Sequence, residues 1–176
     1  MRSFLVLLSV LLLLSPQAFA REPLRVLEGA VLKVSDGDTI NIDSGGTKVK
    51  IRFYGIDTPE TKKINRRTGQ VSKPGQPCGD EAWHALEGKI ANQHVRVEVI
   101  DRDRYGRLVS VVWLGNRNIN KEMVADGWAW AYRQYLDRPY ASEYIDAEQL
   151  ARARRLGLWS QGNPQPPWEF RKMLKM

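Results

Sequence analysis

Apolar and polar residues alternate with a period of two over several short stretches, which is the mark of half-buried strands. Leu24 to Val34 is rich in apolar residues and predicts a first strand. Asp36-Gly37-Asp38 is a turn signal, and Thr39 to Ile42 reads as a second strand with Ile40 and Ile42 on one face. After the Asp43-to-Gly46 connection, Thr47 to Ile56 alternates. Val49, Ile51 and Phe53 share one face, Lys48, Lys50 and Arg52 the other. Val95, Val97 and Val99 mark a fourth strand, and Arg107 to Trp113 a fifth, with Tyr105-Gly106 in the turn between them. The helical period appears at Asp80 to Ala91, where Ala82, Leu86 and Ile90 form a stripe. It recurs at Asn118 to Asp126, capped by Asn118 and stopped at Gly127, and at Ser142 to Leu156, ending at Gly157. Thr58 to Gly79 has the composition of a long surface loop, and Gln161 to Met176 that of a Pro-rich, basic tail. Five short strands with a helix inserted after the third predict a mainly β, α+β domain: a five-stranded Greek-key barrel of the OB type with about three packed helices.

The first residues stand outside this pattern. Phe4 to Leu14 is an apolar run behind Arg2, broken by Ser15 and Pro16 and followed by Ala18-Phe19-Ala20. A spanning helix needs about 20 apolar residues, so the run reads as a signal peptide cleaved near Ala20 rather than an anchor. The expectation is a periplasmic or secreted protein with no stable membrane insertion. The chain has 176 residues, enough for one domain with a real core, and a net charge of +7. Such a charge favours a polyanionic partner, whether nucleic acid, acidic glycan or membrane surface. A lone cysteine, Cys78, excludes an intramolecular disulfide, and His84 and His94 lack the spacing of zinc ligands.

Chemistry enters where carboxylates break the alternation. Asp36 and Asp38 share parity with Ile40 and Ile42, and Asp57 with Val49, Ile51 and Phe53. Strand geometry therefore aims Asp38 and Asp57 toward the core at strand ends. A bare carboxylate there is costly unless paired or bound to a metal. Two acids at one barrel end offer a hard oxygen site suited to Ca²⁺. Aspartates also flank turns for local reasons, and Asp36-Gly37-Asp38 taken alone reads as a turn rather than a metal site. It is no EF-hand, because Thr47 stands where such a loop closes with Glu. Arg107 shares parity with Val109, Val111 and Trp113, the more apolar side, and either pairs with Asp103 or grips a phosphate. Arg52, beside Lys48 and Lys50, is a solvated strand residue or a second phosphate ligand.

Asp36-Gly37-Asp38-Thr39, then Ile51 through Thr58-Pro59-Glu60, then Asp103-Arg104-Tyr105-Gly106-Arg107, together resemble the thermonuclease (staphylococcal nuclease-like) family. Asn120, Met123-Val124, Gly127 and Gly157-Leu158-Trp159 continue the likeness, which covers about residues 24 to 160. The resemblance implies an OB-fold nuclease domain over residues 21–160, between a 1–20 signal peptide and a 161–176 tail. It implies a Ca²⁺-dependent hydrolase that cuts DNA and RNA, leaving 3′-phosphate ends, with no obligate protein partner. Asp38, Asp57 and the backbone carbonyl of Thr58 would hold Ca²⁺, with Asp36 supporting them from behind. Glu60 would activate water, and Arg52 and Arg107 would hold the scissile phosphate. Arg104, Tyr105, Tyr132 and Tyr135 would contact substrate. The tail lies beyond the similarity and away from the catalytic positions. Two other readings use the same charge: a non-catalytic OB module for nucleic acid, and a binder of anionic surfaces or glycans. Neither has a use for carboxylates out of phase. Basic residues in the Thr61-to-Lys73 loop, with Arg152, Arg154 and Arg155, are candidates for tracking the nucleic-acid backbone.

Overall fold

The computed structural model describes residues 22–137 and 140–175, so the expected signal peptide lies outside the described residues. Strand β1 (Arg25–Asp36) is long enough to serve two neighbours. Its first half pairs antiparallel with β7 (His94–Arg102), and its second half with β2 (Thr39–Ser44). β3 (Thr47–Phe53) runs antiparallel to β2, and β8 (Leu108–Leu114) antiparallel to β7. The ring closes where β3 meets β8 in parallel, with Ile51 opposite Leu108 and Phe53 opposite Ser110. A closed ring in the order β1-β2-β3-β8-β7 is the five-stranded OB-fold barrel. β9 (Arg117–Asn118) adds a short hairpin to the free edge of β8.

The barrel interior is built from the alternating positions. Ile40, Ile42, Ile51, Phe53, Val95, Val97 and Val99 are all buried. Helix α1 (Gly79–Ile90) covers one side and buries Ala82, Leu86 and Ile90, the stripe read from the sequence. Helix α2 (Ile119–Ala125) is capped by Asn118, whose side chain accepts the Lys121 N–H at 3.0 Å. Its Asn120 is fully buried and holds three backbone groups. Oδ1 accepts from Val112 N at 2.9 Å, while Nδ2 donates to the carbonyls of Tyr54 and Ser110, each at 3.0 Å. Helix α3 (Tyr140–Ala153) is shorter at its end than the pattern suggested, because the chain turns at Arg155 and Gly157 with positive φ.

Three expectations need correction. The segment from Thr58 is not all surface loop: Thr58 to Thr61 is buried, and a small hairpin of β5 (Lys63–Ile64) and β6 (Val71–Lys73) follows. The more buried parity at the start of β8 is that of Leu108 and Ser110, not that of Arg107 and Val109. β8 keeps that parity on to Val112, while the one irregularity in the β7–β8 ladder is an extra residue in β7, between Val99 and Asp101. The C-terminal tail, whose docking the sequence left open, does reach the catalytic positions, through Arg171 on Asp57 and Glu60. It makes a 3₁₀ turn at Gly157–Ser160 and then helix α4 (Pro167–Met173), with proline in the first turn, where its missing N–H costs nothing. Trp168 of α4 stacks on Tyr132 at 5.2 Å, and meets Trp130 edge-on at 5.5 Å.

Candidate active site

The site is assembled at the open end of the barrel from three chain segments that meet beside β3. Asp38 lies just before β2. Asp57 ends β4 (Ile56–Asp57), which pairs with β10 (Trp130–Ala131) and is thereby fixed to the later part of the chain. Gly37 lets the Thr58 segment pack down between the acids, since a Cβ there would fall 2.9 Å from Thr58 Oγ1. Gly79 does the same for Glu60, where a Cβ would meet the Glu60 carbonyl oxygen at 2.2 Å.

Asp38 and Asp57 are almost wholly enclosed, at 2% and 0% exposure. Arg52 bridges them, donating from Nη1 to Asp38 Oδ1 at 2.7 Å and from Nη2 to Asp57 Oδ1 at 2.6 Å. Asp38 Oδ2 also accepts from the Thr58 amide at 3.2 Å and the Thr58 hydroxyl at 3.1 Å. Asp36 stands behind, accepting from Thr61 Oγ1 at 2.5 Å and facing Lys63 Nζ at 3.3 Å. Glu60 is pinned by its backbone as well as its carboxylate: its N–H donates to Gln76 Oε1 at 3.1 Å, and its carbonyl accepts from Gln76 N at 2.8 Å. The carboxylate itself meets Lys73 and, at 2.9 Å, Arg171.

Burial raises the pKa of Asp38 above the usual carboxylate value; Arg52 opposes the shift, and Asp57 adds to it. Asp36 is raised as well, by burial and then by the charge of Asp38. Glu60 goes the other way. Burial works against its charge, but the hydrogen bonds from Lys73 and Arg171 hold it below the ordinary value. Arg52 is also buried, yet Asp38 and Asp57 keep it firmly protonated.

Above the acids opens a cleft of about 1090 Å³. Of the expected residues, Asp36, Arg52, Glu60, Arg104, Tyr105, Arg107, Tyr132 and Tyr135 line it, while Asp38, Asp57 and Thr58 lie beneath its floor. Arg107 donates from Nε to Asp103 Oδ2 at 2.6 Å, the pairing that sequence left open, and still faces the cleft. Arg104 lies over the Tyr105 ring at 4.9 Å, and the exposed tyrosines Tyr105 and Tyr135 offer faces to a base. Tyr132 packs edge-on to Tyr135 at 4.9 Å, with its other contact taken by Trp168. Arg152, Arg154 and Arg155 do not line the cleft; Arg152 instead holds buried Glu148 and lies 3.9 Å over the Trp159 ring.

Two carboxylates and a threonine are hard oxygen donors of the kind Ca²⁺ takes, with the rest of its shell left to water and substrate oxygens. Among the described residues no third His, Cys, Asp or Glu completes a cluster of metal-holding geometry. The guanidinium groups on Asp38 and Asp57 show that the pair accepts positive charge in this arrangement, so the residues fit a cation.

The sequence reading missed two contributors, Gln76 and Arg171, and named Lys73 only among residues that track the nucleic-acid backbone, whereas it pairs with Glu60. Arg171 is the largest omission, since the tail was expected to stay away from the catalytic positions, and it contacts both Asp57 and Glu60. The available signal was Pro166-Pro167 opening a helix with Trp168 and Arg171 one turn apart.

A closed OB-fold barrel with enclosed acids beneath a guanidinium-lined cleft is an architecture for gripping a polyanion. Residues 50–161 match the family described as staphylococcal nuclease homologue, and the chain belongs to that family. It is 36% identical over 174 residues to "Protein ParB" of Escherichia coli, covering 94% of this chain and 87% of that protein. It is 35% identical over 176 residues to a "Micrococcal nuclease" of Shigella flexneri, with 95% and 90% covered. A "Thermonuclease" of Staphylococcus hyicus shares 36% identity over 132 residues, 74% of each chain.

Proposed function

We propose that this protein is a Ca²⁺-dependent nuclease that hydrolyses phosphodiester bonds of DNA and RNA and leaves 3′-phosphate ends. We propose also that it acts outside the cytoplasm, in the periplasm or after secretion, once residues 1–20 are removed. The observation that carries the activity is the enclosed Asp38–Asp57 pair beneath a cleft where Arg52, Glu60 and Arg107 converge. The names of the relatives, micrococcal nuclease and thermonuclease, support the same reading. Among the described residues no helix is long and apolar enough to cross a membrane.

Large rate enhancements in phosphodiester hydrolysis require roughly 20 kcal/mol off the barrier, whereas one preorganised contact supplies about 3–4 kcal/mol. Several groups must therefore act together. Ca²⁺ held by Asp38 and Asp57, with the Thr58 carbonyl, would neutralise a non-bridging phosphate oxygen. Arg52 and Arg107 orient the diester and stabilise charge that grows on its oxygens. Glu60 is kept ionised by Lys73 and Arg171, so it is able to accept a proton from water attacking in line. The water oxygen bonds to phosphorus as the bond from phosphorus to the 5′ oxygen breaks; the departing 5′ oxygen takes up a proton from solvent in the open cleft and leaves as a hydroxyl, with the phosphate on the 3′ side. Tyr105 and Tyr135 present aromatic surface to the neighbouring bases, with Tyr132 packed behind Tyr135 and on Trp168.

Digestion of plasmid DNA and of RNA, with calcium and with chelator, tests this directly. Expected is cleavage of both in calcium, arrest in chelator, and products bearing 3′-phosphate and 5′-hydroxyl ends. Undiminished cleavage in chelator removes the calcium requirement, and 5′-phosphate ends would refute the assigned bond.

A further inference from the structure

Asp57 is enclosed by two arginines that differ in how they are held. Arg52 belongs to β3 in the barrel wall, and its second nitrogen is committed to Asp38. Arg171 comes from α4, 114 residues away in sequence, and takes both oxygens of Asp57: Nη1 on Oδ1 at 3.1 Å and Nη2 on Oδ2 at 2.7 Å. The same Nη1 reaches Glu60 Oε1 at 2.9 Å. Among the described residues Asp57 Oδ2 accepts a hydrogen bond from Arg171 alone, and Asp57 has no exposed surface. A cation approaching Asp57 must therefore take lone pairs that the Arg171 guanidinium holds.

We propose that Arg171 is an internal counter-ion seated at the cation position of the acid pair, which competes with divalent metal and sets its affinity. This rests on the calcium reading given above and deepens it. The anchorage of α4 makes the exchange feasible without undocking the helix. Trp168 is stacked on Tyr132, and Gln76 Nε2 donates to the Gln165 carbonyl at 3.2 Å, so the helix is held three residues and more before Arg171. The side chain is also 30% exposed and already borders the cleft, so it has open space to swing into. While metal is absent, Arg171 keeps Asp57 and Glu60 neutralised. On metal arrival the freed guanidinium remains at the cleft wall, where a substrate phosphate lies.

The test is calorimetric titration of Ca²⁺ into the full mature chain and three variants, with melting curves in calcium and in chelator. Arg171→Gln should bind Ca²⁺ about tenfold more tightly, Arg171→Lys should fall between, and Lys172→Gln, an exposed charge on the same helix, should stay within about twofold. In chelator Arg171→Gln should melt below the parent, and calcium should raise its melting point more than it raises the parent's. Equal or weaker binding by Arg171→Gln overturns the competition while leaving the calcium reading intact. An equal gain in Lys172→Gln also overturns it, since general charge would then suffice. If no variant, nor the parent, gives heat or a melting shift with Ca²⁺, the calcium reading itself fails and takes this inference with it.

Discussion

Glu60→Gln is expected to lower turnover by about 10³-fold while leaving substrate affinity within a few-fold of the parent, the loss typical when a positioned proton acceptor is removed. The substitution preserves size, and the backbone pairing of Glu60 with Gln76 holds the segment in place when the carboxylate's ion pairs with Lys73 and Arg171 are lost. What it removes is the negative charge that Lys73 and Arg171 stabilise and the basic oxygen on the water side. Single-turnover cleavage of a labelled oligonucleotide, set beside its equilibrium binding in chelator, separates the two effects. Near-normal turnover would end the role assigned to Glu60. A parallel fall in binding and turnover would make it a substrate contact instead.

Asn120→Ala should cost about 3–5 kcal/mol of stability, the sum of a buried cavity and at least one orphaned backbone group. Asn120 is completely buried and accepts the Val112 N–H, so truncation takes that donor's partner away in the barrel wall. The Ser110 carbonyl suffers less, because it still accepts the Tyr54 N–H at 2.7 Å. Asn120→Asp should be no milder: it restores the acceptor but turns a carboxylate toward the carbonyls of Tyr54 and Ser110. Denaturant melts at constant m-value measure both. A loss below about 1 kcal/mol would mean that water or a shifted backbone satisfies those groups. The consequence for function is indirect. Tyr54 leads into Gly55, Ile56 and Asp57, so a loosened Asn120 loosens the segment that delivers the second acid.

Much of this site was legible in the sequence because strand geometry is so regular. A two-residue period places Asp38 with Ile40, and Asp57 with Ile51 and Phe53, and the structure encloses both acids. The helix stripe of Ala82, Leu86 and Ile90 was legible for the same reason. The period misled at β8, where Leu108, Ser110, Val111 and Val112 are all buried, so apolar residues on both parities hid that Arg107 belongs to the less buried one. Composition misled at Thr58 to Thr61, where the Lys- and Pro-rich stretch that follows gave the look of a surface loop. Those residues are buried because Asp36 and Gln76 satisfy their polar groups from other parts of the chain. Arg171 was invisible for a different reason. Its contacts with Asp57 and Glu60 span more than a hundred positions, and no local period reports a pairing made by docking one aromatic ring on another.

Whether Asp38 and Asp57 hold a divalent cation is answered most directly by crystals grown in calcium chloride, through the anomalous difference map at a long wavelength. Expected is one peak about 2.3–2.6 Å from oxygens of both Asp38 and Asp57, with the Arg171 guanidinium drawn off Asp57 Oδ2. A map with calcium bound only elsewhere, and both arginines still seated on the acids at saturating metal, would contradict it.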